Sequence, residues 1–287
     1  MERFKIWISV FILTGTVIFS SCNSRTFHTV TIAIDDACNL EQQSIAYEVI
    51  NRRIASVWNV KEKTDLIDGK FNITYSGENA LLERILTQRG EIYIAEVFQW
   101  NEIHLALDSV LERLNLPWFR ERGWVTTSVA PPVLMGVHRL IQVQIDSIFN
   151  TYLHFFPTGT SLAWTAQPNM FGFYELLALK PTSRPFLLNP ISVYSCEVSE
   201  FKGMPEIWIE LEENYINELA RFTRNNTGRN VAIAMDGKVL SYPMIPDEIT
   251  SGGIHITAGD NLEIDDLLLI KSVILSGTLE CKARIVN

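Results

Sequence analysis

Few residues of this 287-residue chain have the types and spacing that catalysis or metal binding requires. An enzyme needs convergent groups, such as a nucleophile beside a base, two facing carboxylates or a set of metal ligands. The pairs Asp35-Asp36 and Asp265-Asp266 could face a cation, but both stand at predicted helix starts, where acidic side chains favour the helix N-terminus. The histidines form no HExxH-like pair; they are His28, His104, His138, His154 and His255. The sequence therefore predicts no enzyme activity, no cofactor and no metal site.

One cysteine near the N-terminus has a predictable chemistry. Arg3 and Lys5 precede an apolar run over residues 6–19, and two serines then lead to Cys22. The run has the length of a signal-peptide core and is short for a spanning helix, which needs roughly 20 residues. This order resembles a bacterial lipoprotein signal. Residues 1–21 are therefore predicted as a signal peptide and Cys22 as the site of lipidation; an ordinary cleaved signal or a buried thiol is the alternative.

The remaining cysteines leave the disulfide state open. Without residues 1–21 the chain keeps Cys38, Cys196 and Cys281. In an oxidising periplasm one pair can form and leave an odd thiol. Cys196 and Cys281 both fall in predicted strands, but the sequence does not decide whether they meet, and buried free thiols are the alternative.

Composition excludes a nucleic-acid partner. The formal net charge is −9 and the pI is about 5.1, whereas a phosphate backbone calls for a basic face. Hydrophobic residues make up 47% of the chain, which is enough to bury a sizeable core. We therefore expect a globular protein.

An aromatic cluster beside arginines offers one candidate binding surface. Trp118, Phe119 and Trp124 stand close to Arg120 and Arg122. Tryptophan and arginine are frequent in binding hot spots, so the cluster could grip a peptide. The alternative is a helix end packed on the core.

The first hundred residues predict a compact α+β unit. Strand patterns over residues 29–34, 61–67, 70–75 and 91–98 alternate with helix patterns over residues 40–58 and 79–88. Asp68-Gly69 is the pair that a tight type I′ hairpin favours. The order strand, helix, strand, strand, helix, strand predicts a ferredoxin-like βαββαβ base over residues 29–98. The inward side of the first helix is predicted to carry Ile45, Val49, Ile50, Ile54 and Val57.

The middle of the chain is less regular. Helices are predicted over residues 101–114, with Leu105, Val110, Leu111 and Leu114 inward, and over residues 137–155. Strands are predicted over residues 161–164 and 173–179.

The stretch over residues 207–259 specifies local structure at nearly every position. A strand and a helix precede Gly228, whose lack of a Cβ suits a left-handed helix end. The apolar run over residues 231–235 predicts a strand buried on both faces, and Asp236-Gly237 predicts a second type I′ hairpin. Pro243 suits the end of strand pairing, and Gly252-Gly253 predicts a loop before a third strand.

These residues carry a family resemblance. The run from Phe222-Thr223 through Asp236-Gly237, Pro243 and Gly252-Gly253 resembles the first periplasmic domain of SecD, the accessory subunit of the Sec protein-export channel. The helix from Leu262 to Ser276-Gly277, with Asn261 as its predicted N-cap, continues the similarity. The resemblance implies an α+β fold in which a head subdomain is inserted into a ferredoxin-like base, and it marks a set of family-motif residues that could bind: Gly228, Asp236, Gly237, Pro243, Gly252 and Gly253.

The resulting prediction is a stand-alone SecD-like lipoprotein. Residues 1–21 form the signal peptide, 22–28 a tether, 29–98 the base, 99–192 an α/β middle segment, and 193–287 the head with a C-terminal return to the base.

The SecD resemblance implies a non-enzymatic protein that faces the periplasm of a Gram-negative-type cell envelope and assists protein export, and the signal at Cys22 implies that it is lipid-anchored. Its implied partners are exported polypeptide or Sec translocon subunits, and the membrane through the lipid anchor. Because SecD proteins couple an ion gradient through spanning helices, we expect this chain alone not to transduce one. The alternative is an envelope interaction lipoprotein that reuses the fold without an export role.

Overall fold

The computed structural model describes residues 26–114, 116–127, 129–181, 185–201, 204–257 and 262–286. Cys22 and the predicted signal peptide lie outside these residues. Among the described residues the helices are α1 (Leu40–Val57), α2 (Asn79–Thr87), α3 (Trp100–Leu111), α4 (Leu116–Arg120), α5 (Gln142–Thr151), α6 (Glu213–Asn225) and α7 (Ile264–Ser276). The strands are β1 (His28–Ile34), β2 (Val60–Lys63), β3 (Lys70–Tyr75), β4 (Ile92–Glu96), β5 (Val125–Thr126), β6 (Met135–Val137), β7 (Ser161–Trp164), β8 (Tyr174–Leu179), β9 (Phe186–Leu187), β10 (Val193–Phe201), β11 (Met204–Leu211), β12 (Val231–Met235), β13 (Lys238–Ser241), β14 (Gly253–Thr257) and β15 (Ala283–Val286).

The base sheet has the antiparallel order β15-β1-β3-β2, and the predicted α+β class is confirmed. Its βαββαβ path runs β1, α1, β2, β3, α7, β15, so everything between β3 and α7 is inserted. The prediction that the strand of residues 91–98 completes this sheet was wrong. That segment forms β4 in another sheet, and its place is taken by β15 at the end of the chain. Apolar periodicity identifies a strand but not its partner, which is why the two strands were confused.

A disulfide links the segment after β1 to the segment before β15. Cys38 follows β1 and Cys281 precedes β15; because the two strands are antiparallel, these ends are neighbours, and the two Cα atoms lie 6.3 Å apart. Cys196 is a free, buried thiol whose pKa is raised to about 12, chiefly by burial. The structure thus decides what the sequence left open: Cys281 pairs with Cys38, and Cys196 is the odd thiol.

The first helix begins with a capping box. The Asn39 side chain accepts the N–H of Gln42 (2.9 Å), and the Gln42 side chain accepts the N–H of Asn39 (3.0 Å). Val49, Ile50 and Ile54 are buried as predicted, but Ile45 is 56% exposed and Ala46 takes the inward position instead. The prediction for Ile45 was wrong because residue 45 lies just outside the stripe that faces α7.

Helix α7 is buried on most sides between the base helix α1 and the strands β10 and β11. It packs against α1 and α2 on one side and against β10 and β11 on the other. A helix that is apolar around most of its circumference is suited to such a position. Its N-cap is Glu263, which forms a capping box with Asp266. Asn261, the predicted N-cap, lies outside the described residues, and the cap falls two residues later than predicted.

The central sheet, of order β13-β12-β4-β9, separates two cores. Ile94 and Ile233 face the core of the base, while Ala95 and Ala232 face a smaller cluster that includes residues of β7 and β8. Residues 231–234 of β12 are at most 3% exposed, so the prediction of a strand buried on both faces is confirmed. Both predicted hairpins are also confirmed by positive φ angles at their Asp-Gly pairs (49° and 70°, 50° and 78°).

The middle segment has its own core around the sheet β5-β6-β8-β7. Two predictions were wrong here. The helix predicted over residues 137–155 starts later, at Gln142, because residues 135–137 pair with β8 as strand β6. Leu105 of α3 is 72% exposed, and the inward positions are Ile103, Leu107 and Val110.

Candidate functional site

An opening lined by family-motif residues lies in the head, which we define as the sheet β10-β11-β14 with helix α6. A cavity of about 530 Å³ lies between α6, the head sheet, strands β4 and β12, and residues 243–253, here called the head loop. Its lining is mostly apolar; representative members are Ile94, Leu219, Phe222, Ile233, Ile245, Ile249 and Ile254. A volume of this size with such walls is typical of a binding pocket. We call it the head cavity.

Hydrogen bonds hold the head loop in place at several points. The N–H of Ile249 donates to Oγ1 of Thr223 (2.9 Å), a side chain that is itself 1% exposed on α6. The N–H of Gly228 donates to the carbonyl of Ile245 (2.7 Å). Because residue 228 has φ of 74°, glycine suits the turn that makes this contact.

An ion pair adds a further anchor on the outside of the loop. The guanidinium of Arg224 donates to both carboxylate oxygens of Glu248, at 2.9 and 2.5 Å. These hydrogen bonds lower the pKa of Glu248 and keep its carboxylate charged. Met244, which precedes these anchors in the loop, is 59% exposed at the rim of the head cavity.

Pro243 and the two adjacent glycines shape the cavity wall. Pro243 lies two residues after β13, and its carbonyl accepts the N–H of Val231 (3.0 Å). A Cβ on Gly253 would lie 2.6 Å from the indole of Trp208, so only glycine allows the indole to cover this strand. Gly252 has φ of 76°, and a Cβ there would lie 2.8 Å from Ile216 of α6.

Asp236 and Gly237 lie elsewhere, at the other end of the β12–β13 hairpin. The carboxylate of Asp236 accepts the N–H of Gly90 (2.9 Å), the N–H of Glu91 (2.7 Å) and the side-chain amide of Gln88. Its role therefore extends beyond the turn that the sequence predicted. It joins the hairpin to the connection between α2 and β4.

Arg53 stabilises the same connection, and the sequence analysis did not identify this residue. Its fully buried guanidinium donates to the carbonyls of Ile85 (3.0 Å), Gln88 (2.6 Å), Arg89 (2.8 Å) and Gly277 (2.8 Å). The last turn of α2, the two residues that follow this helix and the residue after α7 are thus tied to α1. The available signal was an arginine on the apolar stripe of α1, three residues after Ile50.

We call Arg53, Asp236 and residues 85–91 the junction. Burial lowers the pKa of Arg53 to about 10, and the negative charge of Asp236 partly offsets that effect. The junction therefore combines a buried cation with a nearby anion, and both are hydrogen-bonded to backbone groups of the same segment.

A second cavity of about 510 Å³ adjoins the first, since Pro243 and His255 line both. The imidazole of His255 meets the indole of Trp208 edge-on, with ring centroids 4.3 Å apart. The sequence analysis singled out neither His255 nor Trp208 as a site residue. The pair became visible only through the register that places residue 255 opposite residue 208.

The aromatic cluster of the middle segment packs as a helix end. The Trp118 ring meets Phe119 at 4.9 Å and Trp124 at 5.5 Å, and the Arg122 guanidinium lies 4.1 Å from the Trp118 ring centre. Phe119 and Trp124 contact the core of this segment. None of these residues lines the head cavity.

Within the described ranges no group of three or more histidine, cysteine, aspartate or glutamate side chains is arranged to hold a metal ion. Among those same residues, no helix combines the length and the apolar character that crossing a bilayer requires.

A known protein-family model matches the part of the chain that forms the head. Residues 190–276 match the family model described as SecDF, P1 head subdomain. These residues supply every wall of the head cavity except Ile94 of β4. The predicted resemblance is therefore confirmed for this part of the chain.

The similar proteins are SecD subunits. The chain is 33% identical over 85 residues to the protein translocase subunit SecD of Acidaminococcus fermentans. This match covers 30% of this chain and 20% of that protein. It is 35% identical over 104 residues to SecD of Leptotrichia buccalis, covering 36% and 25%. It is 27% identical over 172 residues to SecD of Rhodothermus marinus, covering 58% and 26%. The matches thus span about a quarter or less of each of these relatives.

Solved structures of SecDF are also similar. One is described as a membrane component that enhances protein export, with a TM-score of 0.47, 16% identity, and coverage of 91% of this chain and 98% of that chain. Another is SecDF in a super-membrane-facing form, with a TM-score of 0.48, 15% identity, and coverage of 91% and 29%.

Proposed function

We propose that this chain is a non-enzymatic, SecD-like periplasmic domain that assists protein export by binding polypeptide, or a Sec component, at the head cavity. One observation carries the proposal. The residues that match the SecDF head subdomain are also those that build an open, apolar cavity. An unfolded chain emerging from a membrane exposes apolar side chains, and each Å² of apolar surface buried in such a cavity contributes about 25 cal/mol.

The disulfide supports an extracytoplasmic location. Cys38 and Cys281 are bonded, and disulfides persist in oxidising compartments such as the bacterial periplasm. This agrees with a protein that faces the periplasm after export.

Lipidation of Cys22 completes the proposed location. Two or more acyl chains give stable membrane attachment, because each buried CH₂ contributes about 0.8 kcal/mol. Cells fed a clickable palmitate analogue should label the protein, and Cys22→Ala should abolish the label. Equal labelling of both proteins would remove the lipid anchor from the proposal.

Photo-crosslinking in native envelopes tests the function. A photo-reactive residue at Met244 stands at the rim of the head cavity, and the same residue at Leu105 provides a control on the exposed face of α3. The proposal predicts that position 244, but not position 105, captures Sec subunits or a spread of exported proteins. Capture of one unrelated envelope protein at position 244 would favour the alternative, an interaction lipoprotein without an export role. Equal capture at both positions would contradict binding at the head cavity.

A further inference from the structure

Strand β14 has a free edge beside both cavities. Within the part of the chain that the structure describes, β14 pairs with β11 alone, and the head sheet ends there. A free edge presents a row of backbone N–H and C=O groups that can pair with another extended chain. Five residues, at about 3.4 Å each, give an edge of roughly 17 Å.

The position of this edge matters because it borders open space. Gly253, Ile254 and His255 contribute to the head cavity, and His255 and Ile256 contribute to the adjoining one. Pro243, two residues after the end of β13, lines both openings. Most exposed edges in native proteins are blocked by charges, bulges or a covering element. Here the strand itself carries no lysine, proline or bulge against β11.

The two faces of the head sheet offer different surroundings to an added strand. Ile254 and Ile256 point to the apolar core side, whereas His255 lies opposite Trp208 on the other face. Side chains of an added strand alternate between the same two faces. Alternate residues would therefore meet apolar walls, and the residues between them would meet the face of Trp208.

That second face is acidic. The side chain of Glu206 is 9% exposed, and its Oε2 accepts no hydrogen bond among the described residues; the Nδ1 of His255 lies 3.6 Å away. Glu210, on the same face, accepts hydrogen bonds from Trp208 (3.2 Å) and Ser195 (2.9 Å). Apart from His255, the described residues bring no cationic partner to either carboxylate. A lysine or arginine of a bound chain would complement this charge.

On the premise of the proposed function, we propose that polypeptide binds as an added strand on the free edge of β14. The occupant is an extended segment with apolar residues at alternate positions and basic residues between them. Backbone hydrogen bonds to the strand supply affinity that does not depend on sequence, and the alternate side-chain sites supply a preference. This mode suits a protein that must hold many different unfolded chains.

Alternately N-methylated peptides test the binding mode without altering the protein. The probe is a labelled peptide of about nine residues in which valine alternates with lysine or serine, long enough to cover the edge. In a strand, the N–H groups of alternate residues face the same edge. Methylation of the valine nitrogens and methylation of the other nitrogens therefore yield two matched peptides, of which only one keeps its hydrogen bonds to β14.

Fluorescence anisotropy with the full chain separates the outcomes. We expect the unmodified peptide to bind, one methylated peptide to bind similarly, and the other to bind about tenfold or more weakly. Binding of both methylated peptides with equal affinity would overturn strand addition while leaving the head cavity as the binding site. Absence of binding by the unmodified peptide would overturn the proposed occupant of this edge, whereas the proposed function is tested separately by crosslinking at Met244. The inference would also be overturned if sedimentation showed that the protein dimerises through this edge and that no peptide prevents the dimerisation.

Discussion

At the junction, the backbone groups that end α2 and begin β4 are bound by the side chains of Arg53 and Asp236. At the head cavity, by contrast, strand β14 leaves one edge without a partner strand among the described residues, beside open, apolar walls. The head cavity is built from the insertion between β3 and α7, and the junction joins that insertion to α1 of the base. The comparison suggests that the junction stabilises the insertion so that the head cavity can remain incompletely packed.

This difference predicts that the two regions respond to substitution in opposite ways. Changes at the junction should lower the free energy of unfolding with little effect on polypeptide binding by the molecules that stay folded. Changes at the rim of the head cavity should weaken binding with little effect on stability.

The largest loss of stability is expected for Arg53→Met. The variant removes a buried cation and leaves four carbonyl oxygens without their donor, which should lower the free energy of unfolding by about 3–5 kcal/mol. Denaturant unfolding measures the change. Arg52→Met is the matched control, because the neighbouring side chain is exposed, and it should stay within about 0.5 kcal/mol of the parent. Equal losses in both variants would show that the junction has no special role.

Loss of the disulfide is expected to have the next largest effect. Cys38 and Cys281 are 243 residues apart, so the bond restricts the unfolded chain strongly. Cys38→Ser with Cys281→Ser should lower the free energy of unfolding by about 2–4 kcal/mol. The folded variant should still bind peptide, since neither cysteine lines the head cavity. Loss of peptide binding in a variant that remains folded would break the comparison.

A smaller loss is expected for Asp236→Asn, and the chain supplies its own control. Asp68 and Asp236 begin the same kind of hairpin with φ near 50°, but Asp68 is exposed whereas Asp236 accepts three hydrogen-bond donors. Asp236→Asn should cost about 1–3 kcal/mol in unfolding free energy. Asp68→Asn should cost close to nothing, because asparagine also tolerates the left-handed conformation. Similar costs would mean that only the turn matters.

The smallest effect is a pH dependence that involves α3. Burial raises the pKa of Glu102, but hydrogen bonds from Lys180, the N–H of Gln99 and Arg229 outweigh it and bring the pKa down to about 2. Because the folded pKa lies below the ordinary value of 4.5, the stabilisation is present above about pH 4.5 and is lost as the pH falls toward 2.

Unfolding measured across this window should show the loss directly. The stability difference between the parent and Glu102→Gln should shrink steadily as the pH falls. Glu121→Gln, at an exposed position, should show no such trend. A constant difference for Glu102→Gln would contradict the assigned contacts.

Local structure could be predicted from the sequence where a few residues determine it. Both Asp-Gly hairpins, the doubly buried strand β12 and the helix α7 follow from turn chemistry and periodicity. The partners of these elements could not be predicted, since periodicity carries no information on which strands meet. The choice of β15 over β4 for the base sheet is one such case, and the pairing of Cys38 with Cys281 is another.

The candidate site was predicted only in part. Pro243, Gly252 and Gly253 were identified by resemblance, but the reason for Gly253 is the indole of Trp208, a contact across two strands. Arg53 is hidden for a similar reason, because its four acceptors come from segments far away in the sequence. Such contacts depend on tertiary packing and are not specified by neighbouring residues.

Binding of an unfolded polypeptide to two matched variants tests the central claim most directly. Met244 and Leu105 are both exposed apolar residues, but only Met244 lines the head cavity. Titration of a labelled, permanently unfolded polypeptide should give about tenfold weaker binding for Met244→Asp, since a charge at the rim must be desolvated, and unchanged binding for Leu105→Asp. Equal affinity of the two variants would contradict polypeptide binding at the head cavity.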